Sequence, residues 1–519
     1  MNNQYKVIWS KVKNTYVVVS ELAKRNGKSE SGSSRQYVSA AAVLAAVAVL
    51  SIPGVVAAQD GVTTFVDPAN KNIQMGNGTN LTNTINSNKT HFYSVNSTDT
   101  TAGNYNNNGA TGANALAAGV ATSAQTTNSV AIGTNARVLG NGGNRDTGTG
   151  AIAIGEDAVV TTNGLNLTSI AMGKGATVLN GSGKQDRALS FTPDNYTSAS
   201  TLPIDPDKSP GGIAIGANAY ARTGSVQIGS HTMKGYTMGG SKINDQSQAN
   251  LVGMTTIGSN SYNKGALGSM LGAYSVMTGD FTGAGGFNSL RYGSQNFGAN
   301  VVGSLNSIRS AGYSGASGIA NSIVGVGNIA ENANGALIYG AGNKITNSVQ
   351  SISGINTSTS TSTVDEMADA LRKGIQSSGG GGSTLAIGGG NTADYTQNTA
   401  IIGVNNTVTG TSADIAQYNS VTGYKNTATN VDNVTITGIN NTVSDTKTAV
   451  VIGDNRTLTG VNNNVIIGSA DTGTTTTVNN AVAIGRNTNV SYDGGVALGA
   501  NSLATVDKGA IGYLSLIHI

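Results

Sequence analysis

The run Asn128-Ser129-Val130-Ala131-Ile132-Gly133, with Thr134-Asn135 and Ala136-Arg137-Val138 behind it, decides how the rest of the chain is read. An extended backbone from Ser129 to Ile132 points Val130 and Ile132 to one face and Ala131 to the other, because side chains alternate along a strand. One face is bulky and the other small. Gly133 supplies the permissive backbone of a sharp corner, the Thr134-Asn135 pair makes the turn, and Ala136-Arg137-Val138 runs back as a second short strand.

Working outward, the apolar run ending in glycine returns as Ile152-Ala153-Ile154-Gly155, Ile170-Ala171-Met172-Gly173, Ile213-Ala214-Ile215-Gly216 and Val226-Gln227-Ile228-Gly229. Later copies include Ala400-Ile401-Ile402-Gly403, Val450-Val451-Ile452-Gly453, Val482-Ala483-Ile484-Gly485 and Val496-Ala497-Leu498-Gly499. Toward the end the glycines fall at 438, 453, 468, 485, 499 and 512, so one unit is about fourteen residues. That length holds two short strands and two turns. Each coil then lies on the last and continues both sheets, which makes an all-β solenoid, a parallel β-roll or narrow β-helix. Bulky residues are expected between the two sheets. For the small face, two readings stay open on the residues alone: identical chains approach closely there and close as a cyclic trimer, or the alanines fit a crowded interior.

Composition narrows the function classes. The chain has 519 residues, 73 Gly, no Cys and 11% charged residues, which excludes both a self-repelling disordered chain and a protein of long helices. Residues 1 to 58 carry seven Lys or Arg (Lys6, Lys11, Lys13, Lys24, Arg25, Lys28, Arg35) against Glu21 and Glu30, an excess larger than the formal +3 of the whole chain. The remainder is slightly acidic and offers no basic surface for nucleic acid. His91, His231 and His518 stand in no metal-ligand spacing, and Gly379 to Gly382 lacks the Lys and Ser/Thr of a phosphate loop. Paired carboxylates of a glycan-cleaving β-helix remain a distant reading, since coils of that kind are longer. No catalytic residue, metal ligand or cofactor is assigned, and the chain reads as a non-enzyme.

Residues 5 to 24 read by themselves as a short basic amphipathic helix. From Ala40 to Val56 runs an apolar stretch broken at Pro53-Gly54 and followed by Ala57-Ala58-Gln59, the pattern of a secretory signal cleaved between Ala58 and Gln59. The longer stretch Met1-Asn2-Asn3-Gln4-Tyr5-Lys6-Val7-Ile8-Trp9-Ser10-Lys11-Val12-Lys13, with Val17-Val18-Val19-Ser20-Glu21-Leu22-Ala23-Lys24, resembles the extended signal peptide region of large autotransporters.

Asn128-Ser129-Val130-Ala131-Ile132-Gly133 in turn resembles the head-repeat motif of Yersinia-type trimeric autotransporter adhesins. The likeness covers most of residues 115 to 513, with degenerate repeats between 240 and 360. It implies left-handed parallel β-rolls joined as a homotrimer, with the small face toward the partner copies. It also implies a protein on the outer membrane and cell surface that adheres to host extracellular matrix, a host-cell receptor or other bacteria. A self-associating surface or biofilm scaffold is the alternative. In some relatives the motif contributes to collagen binding. Asn128, Ser129, Val130, Ala131, Ile132 and Gly133, with Ile154, Gly155, Ile215, Gly216, Ile484, Gly485, Leu498 and Gly499, are therefore candidates for coil building and for matrix contact. Coil building needs them in either case. The family also carries a coiled-coil stalk and a β-barrel anchor as its link to the membrane. Neither pattern occurs here, and Leu514 to Ile519 departs from the repeat. The expectation is a head fragment whose last six residues are a sequencing artefact.

Two insertions interrupt the repeat, at 174 to 210 and at 355 to 384. The first holds four of the six prolines and includes Phe191-Thr192-Pro193-Asp194. In the second, Val364, Met367, Ala368, Leu371 and Ile375 recur at helical spacing, with Asp365-Glu366 at the start, Arg372-Lys373 near the end to suit the helix dipole, and Gly379 to Gly382 as a flexible exit. Residues 59 to 114 read as an irregular tip. Terminal sequencing of the protein recovered from the cell surface is expected to begin at Gln59; a start at Met1 contradicts the signal reading.

Overall fold

In the computed structural model the chain divides into two units, Met1–Ser94 and Val95–Ile519. Described residues are 94–140, 150–161, 168–179, 211–222, 224–232, 253–265, 267–279, 296–310, 317–350, 352 and 364–507, with short strands before residue 94 and at 237–238 and 241–242.

In the first unit, Tyr5–Ser10 pairs antiparallel with Thr15–Ser20, so the helix expected over 5 to 24 is replaced there by a hairpin. The residues explain the change: Val7, Ile8, Thr15 and Val17 to Val19 are β-branched, and Tyr5, Trp9 and Tyr16 are aromatic, all types that favour the pleated backbone. A second small sheet joins Val55–Ala57, Thr63–Val66 and Ile73–Met75 in antiparallel order.

The second unit is a stack of coils, most of them giving one strand to each of two parallel ladders. The first ladder begins Leu116–Ala118, Val130–Ile132, Ile152–Ile154, Ile170–Met172, Ile213–Ile215 and continues in chain order to Val482–Ile484 and Val496–Leu498. Alanine stacks on alanine at Ala117, Ala131, Ala153, Ala171 and Ala214, and glycine on glycine at the corners, as at Gly388, Gly403 and Gly423. Opposite it runs a 5-stranded ladder from Ser123–Ala124 to Tyr220–Arg222, then a 10-stranded one from Val276–Gly279 to Thr474–Thr476, then the pair Asn489–Val490 and Leu503–Ala504. The degenerate stretch after residue 240 is regular in space: Thr255–Ile257, Ser269–Leu271, Asn300–Val302, Ser322–Val326 and Leu337–Ala341 add to the first ladder in register.

The sidedness of the strand reverses the expectation. Ala131, Ala153, Ala171 and Ala214 are fully buried inside the coil, whereas Ile132 is 37% exposed and Leu498 61% exposed. In these early coils the small face is the interior, and the bulky face points out. Short strands meet across a narrow coil, and each sends in a central side chain that faces its counterpart on the other ladder. The two inward residues stand seven positions apart in coil after coil: 131 and 138, 153 and 160, 171 and 178, 301 and 308, 338 and 345, 401 and 408, 436 and 443, 451 and 458, 483 and 490. Variation in coil length therefore falls outside this half-turn. In the first coils the core is Ala against Val; further on it becomes Ile323, Ile338, Ile401, Ile436 and Ile466, each worth about 1.5–3 kcal/mol when fully buried.

Glycine is required at the corners. Gly133 has φ +122, and a Cβ there would stand 2.8 Å from the carbonyl oxygen of Gly155 in the next coil; at Gly155, with φ +126, the corresponding distance to Gly173 is 2.6 Å. The carbonyls of these corners need donors, because they turn inward. In the later coils the donor is an asparagine three positions after a corner glycine. Asn306, Asn328, Asn343, Asn391, Asn406, Asn426 and Asn441 are buried, and each Nδ2 donates to the corner carbonyl of the following coil at 2.7–2.9 Å. Each Oδ1 accepts the backbone N–H of the next asparagine, as from Asn343 to Asn328 at 2.9 Å. Arg456 ends the ladder: its N–H donates to Asn441 Oδ1, and its guanidinium donates to the carbonyls of Gly468, Gly485 and Thr488.

A helix, α1, spans Val364–Ser377. Its last turn carries no basic residue, so Arg372 and Lys373 do not serve the dipole there. They lie a turn earlier and face Asp369, with Arg372 Nε 3.1 Å from Oδ1. The glycines after it are a defined cap and not a flexible exit: Gly379 to Gly382 all have positive φ, and the Gly380 N–H donates to the Ile375 carbonyl at 2.8 Å.

Replacing Asn406 by Ala leaves the Gly423 carbonyl, the Asn426 N–H and an Asn426 amide proton buried without their partner, at about 1–3 kcal/mol per group. Thermal unfolding of the purified head is expected to show a clear fall in midpoint for Asn406→Ala, and little change for the outward Thr407→Ala. Equal midpoints would contradict the ladder's role.

Candidate functional site

Each coil offers two long faces, one per ladder. On the first ladder the outward positions form two columns. One runs Leu116, Val130, Ile152, Ile170, Ile213, Val226 and, further on, Val450, Val465, Val482, Val496; the other holds Ile132, Ile154, Met172, Ile215, Ile228, Ile257, Leu271 and later Ile452, Ile467, Ile484 and Leu498. Many are exposed, and they lie in contact order along one sheet. A largely apolar face of this length marks an interaction surface, since soluble monomers keep such patches small.

The second ladder turns out a different chemistry. Thr392, Thr407, Thr427, Thr442 and Thr457 form one column, and Asp394, Thr409, Thr429, Ser444 and Thr459 the next. Hydroxyls link neighbouring coils, Thr409 Oγ1 to Thr429 Oγ1 and Ser444 Oγ to Thr459 Oγ1, each at 3.3 Å. Side chains also climb from coil to coil along one edge. The Lys447 ammonium reaches Asp414 at 3.1 Å and also pairs with Asp432, and the hydrogen bonds to these two carboxylates hold its pKa above the usual lysine value. Asn462 Oδ1 accepts from the Lys447 N–H, and Asn479 Oδ1 from the Asn462 N–H at 2.9 Å.

The candidate residues divide between these places. Asn128 is exposed at a turn with φ 55; Ser129 is buried, and its hydroxyl donates to the Thr126 carbonyl at 2.6 Å. Val130, Ile132, Ile154, Ile215, Ile484 and Leu498 lie on the bulky face, Ala131 lies inside, and Gly133, Gly155, Gly216, Gly485 and Gly499 are corners. Of the motif, Ser129 and Ala131 are buried, the corner glycines are half-buried or, at Gly499, exposed, and the outward apolar residues and Asn128 carry the exposed side chains. Ala58, Gln59, Leu514 to Ile519 and the proline-rich part of the first insertion lie outside the described residues.

Sequence reading passed over two features. The buried asparagines had a signal in Gly-x-x-Asn, as in Gly325-Val-Gly-Asn328 and Gly423-Tyr-Lys-Asn426, and the hydroxyl face in Thr-x-Thr, as in Thr407-Val-Thr409 and Thr427-Ala-Thr429. His231 is a core residue. Gln227 takes the inward place of the alanines, its Nε2 lies 3.0 Å from His231 Nε2, and the ring stands edge-on to Tyr262 with centroids 5.4 Å apart. Among the described residues no group of His, Asp or Glu is placed to hold a metal ion.

Comparison with known families agrees with this architecture. Residues 1–50 match the extended signal peptide of the type V secretion system. Residues 110–136 and 479–502 match the YadA head domain repeat, in two copies that bracket most of the described coils. No curated relative matches the chain. An extended type V signal ahead of YadA-type head repeats supports a trimeric autotransporter adhesin and indicates export to the bacterial cell surface.

Proposed function

We propose that the head is a homotrimer closed on the bulky face of the first ladder, and that it adheres to host matrix or a host-cell receptor through the faces left outside. The observation that carries the first part is the filled interior. With Ala131, Ala153 and Ala171 already buried within their own coil, the exposed Val, Ile and Leu columns have no partner in the chain, and a cyclic trimer removes them from water with closed symmetry. Outside remain the hydroxyl columns of the second ladder and Asn128. Contacts repeated along the coils and across three chains add up by avidity, so no single strong pocket is needed. The left-handed sense of the coil belongs to this reading too, by likeness to the YadA-type head.

Such a head works by presentation. Its rigid ladders hold hydroxyls at strand spacing, about 4.7–4.9 Å from coil to coil, and a partner meets many copies of one weak site. Family membership points to an adhesive protein with no catalytic step.

Sedimentation of the exported protein is expected to give three chains per particle. The double variant Ile402→Asp, Ile452→Asp puts charges into the contact face at several kcal/mol per buried ion and is expected to sediment as a folded monomer. The variant Thr407→Lys, Thr427→Lys should stay trimeric and lose retention on host matrix in a solid-phase assay. A monomeric parent protein would overturn the trimer reading. Cell-cell clumping with no retention on matrix would favour the self-associating scaffold.

A further inference from the structure

The contact face is not uniformly apolar, and its interruptions are ordered. Along the first column the outward residues read Val226, Thr255, Ser269, Asn300, Ser322, Leu337, four polar layers in succession between apolar ones. Further on, both columns turn polar in two adjacent layers: Ala400 and Ile402, then Ser420 and Thr422, then Thr435 and Thr437, then Val450 and Ile452. Among the described residues, the side chains of Thr255, Ser269, Asn300, Ser322, Ser420, Thr422, Thr435 and Thr437 make no hydrogen bond within the chain. All eight sit on the face where burial is costliest for an unpaired polar group.

A repeat protein that packs against copies of itself has a problem of register. Coils follow one another at about 4.8 Å, so a chain displaced by one coil meets nearly the same surface as before. Uniform Val and Ile columns would accept that displacement at little cost. We propose that these polar layers fix the axial register of the three chains, each layer pairing with the same layer of two further copies of this chain. This rests on the trimer reading above. In register, the hydroxyls of Ser420, Thr422, Thr435 and Thr437 and the amide of Asn300 face their own kind at the axis and can share hydrogen bonds. After a slip of one coil, Ser322 lies level with Leu337, Ser420 and Thr422 with Ala400 and Ile402, and Thr437 with Ile452. Threonine and valine have nearly the same shape, so the penalty comes from unpaired polar atoms and not from steric misfit. One buried polar layer sets the register of coiled coils by the same logic. A staggered set of chains also fails to close, and an interface that does not close propagates.

The test is electron microscopy of single particles of the full chain, with α1 on each chain as the height marker, beside a sedimentation measurement. Two proteins are compared, the parent and a variant with all eight residues changed to Val. The parent is expected to show three α1 helices at one height. The variant is expected to remain associated, with a class of particles whose helices differ by about 4.8 Å or a multiple of it, and with species larger than three chains. Variant particles that are all in register and all trimeric would overturn the proposal while leaving the trimer intact. A parent that sediments as a monomer would overturn the trimer reading, and this inference with it.

Discussion

Two strands of one coil face each other across a narrow buried interior, and the pairing of their central side chains governs the rest of the molecule. That pair is Ala131 and Val138 in an early coil and Ile338 and Ile345 in a later one, all fully buried. Beside the central pair, the buried positions two residues earlier on the first ladder carry mostly small or polar side chains, such as Ser129, Ala151, Ser169 and Asn419. The residues that flank the central position point out, and on the first ladder most are Val, Ile and Leu, with layers of Thr, Ser and Asn between them. From that one constraint follow the glycine corners that let the chain turn over so short a distance, the inward carbonyls at those corners, the asparagine ladder that donates to them, and the apolar face that calls for other chains.

Much of this was legible in the sequence. The glycine period, the strand alternation and the parallel stacking could be read from Val130-Ala131-Ile132-Gly133 and its copies, because a residue that tolerates positive φ and a two-residue alternation leave marks in any composition. Sidedness was not legible in the same way. Large side chains inside and small ones outside is the sound expectation for two packed sheets, and it fails in the early coils, where Ala131, Ala153 and Ala171 fill the inward place and Ile132 and Met172 are exposed. The ladder of Asn306 to Asn441 escaped for a related reason: asparagine signals a turn, and these asparagines do sit at turns, but with their amides pointing inward. Arg372 and Lys373 were placed near the end of a helix that continues a further turn to Ser377, where their partner is Asp369.

The division of faces separates stability from recognition. Residues that fill the coil, such as Ala131 and Asn406, are fully buried and have no route to a ligand. Residues that can meet other molecules lie on two faces of opposite character, one apolar and one bearing hydroxyls at a regular spacing. A surface protein built in this way can change its outward side chains without disturbing the core, since the inward positions and the corner glycines carry the fold. The same regularity makes axial register a question that a globular protein of this size would not face.

The central claim is that side chains such as Ala483 point into the coil, those such as Ile484 face partner chains, and those such as Thr409 face solvent. The chain contains no cysteine, so single substitutions Ala483→Cys, Ile484→Cys and Thr409→Cys can be labelled with a maleimide on the exported, native protein. The account predicts rapid labelling at 409, labelling at 484 when the oligomer is dissociated, and labelling at 483 when the chain is unfolded. Native protein that labels at 484 as fast as at 409, or at 483 before 484, would contradict it.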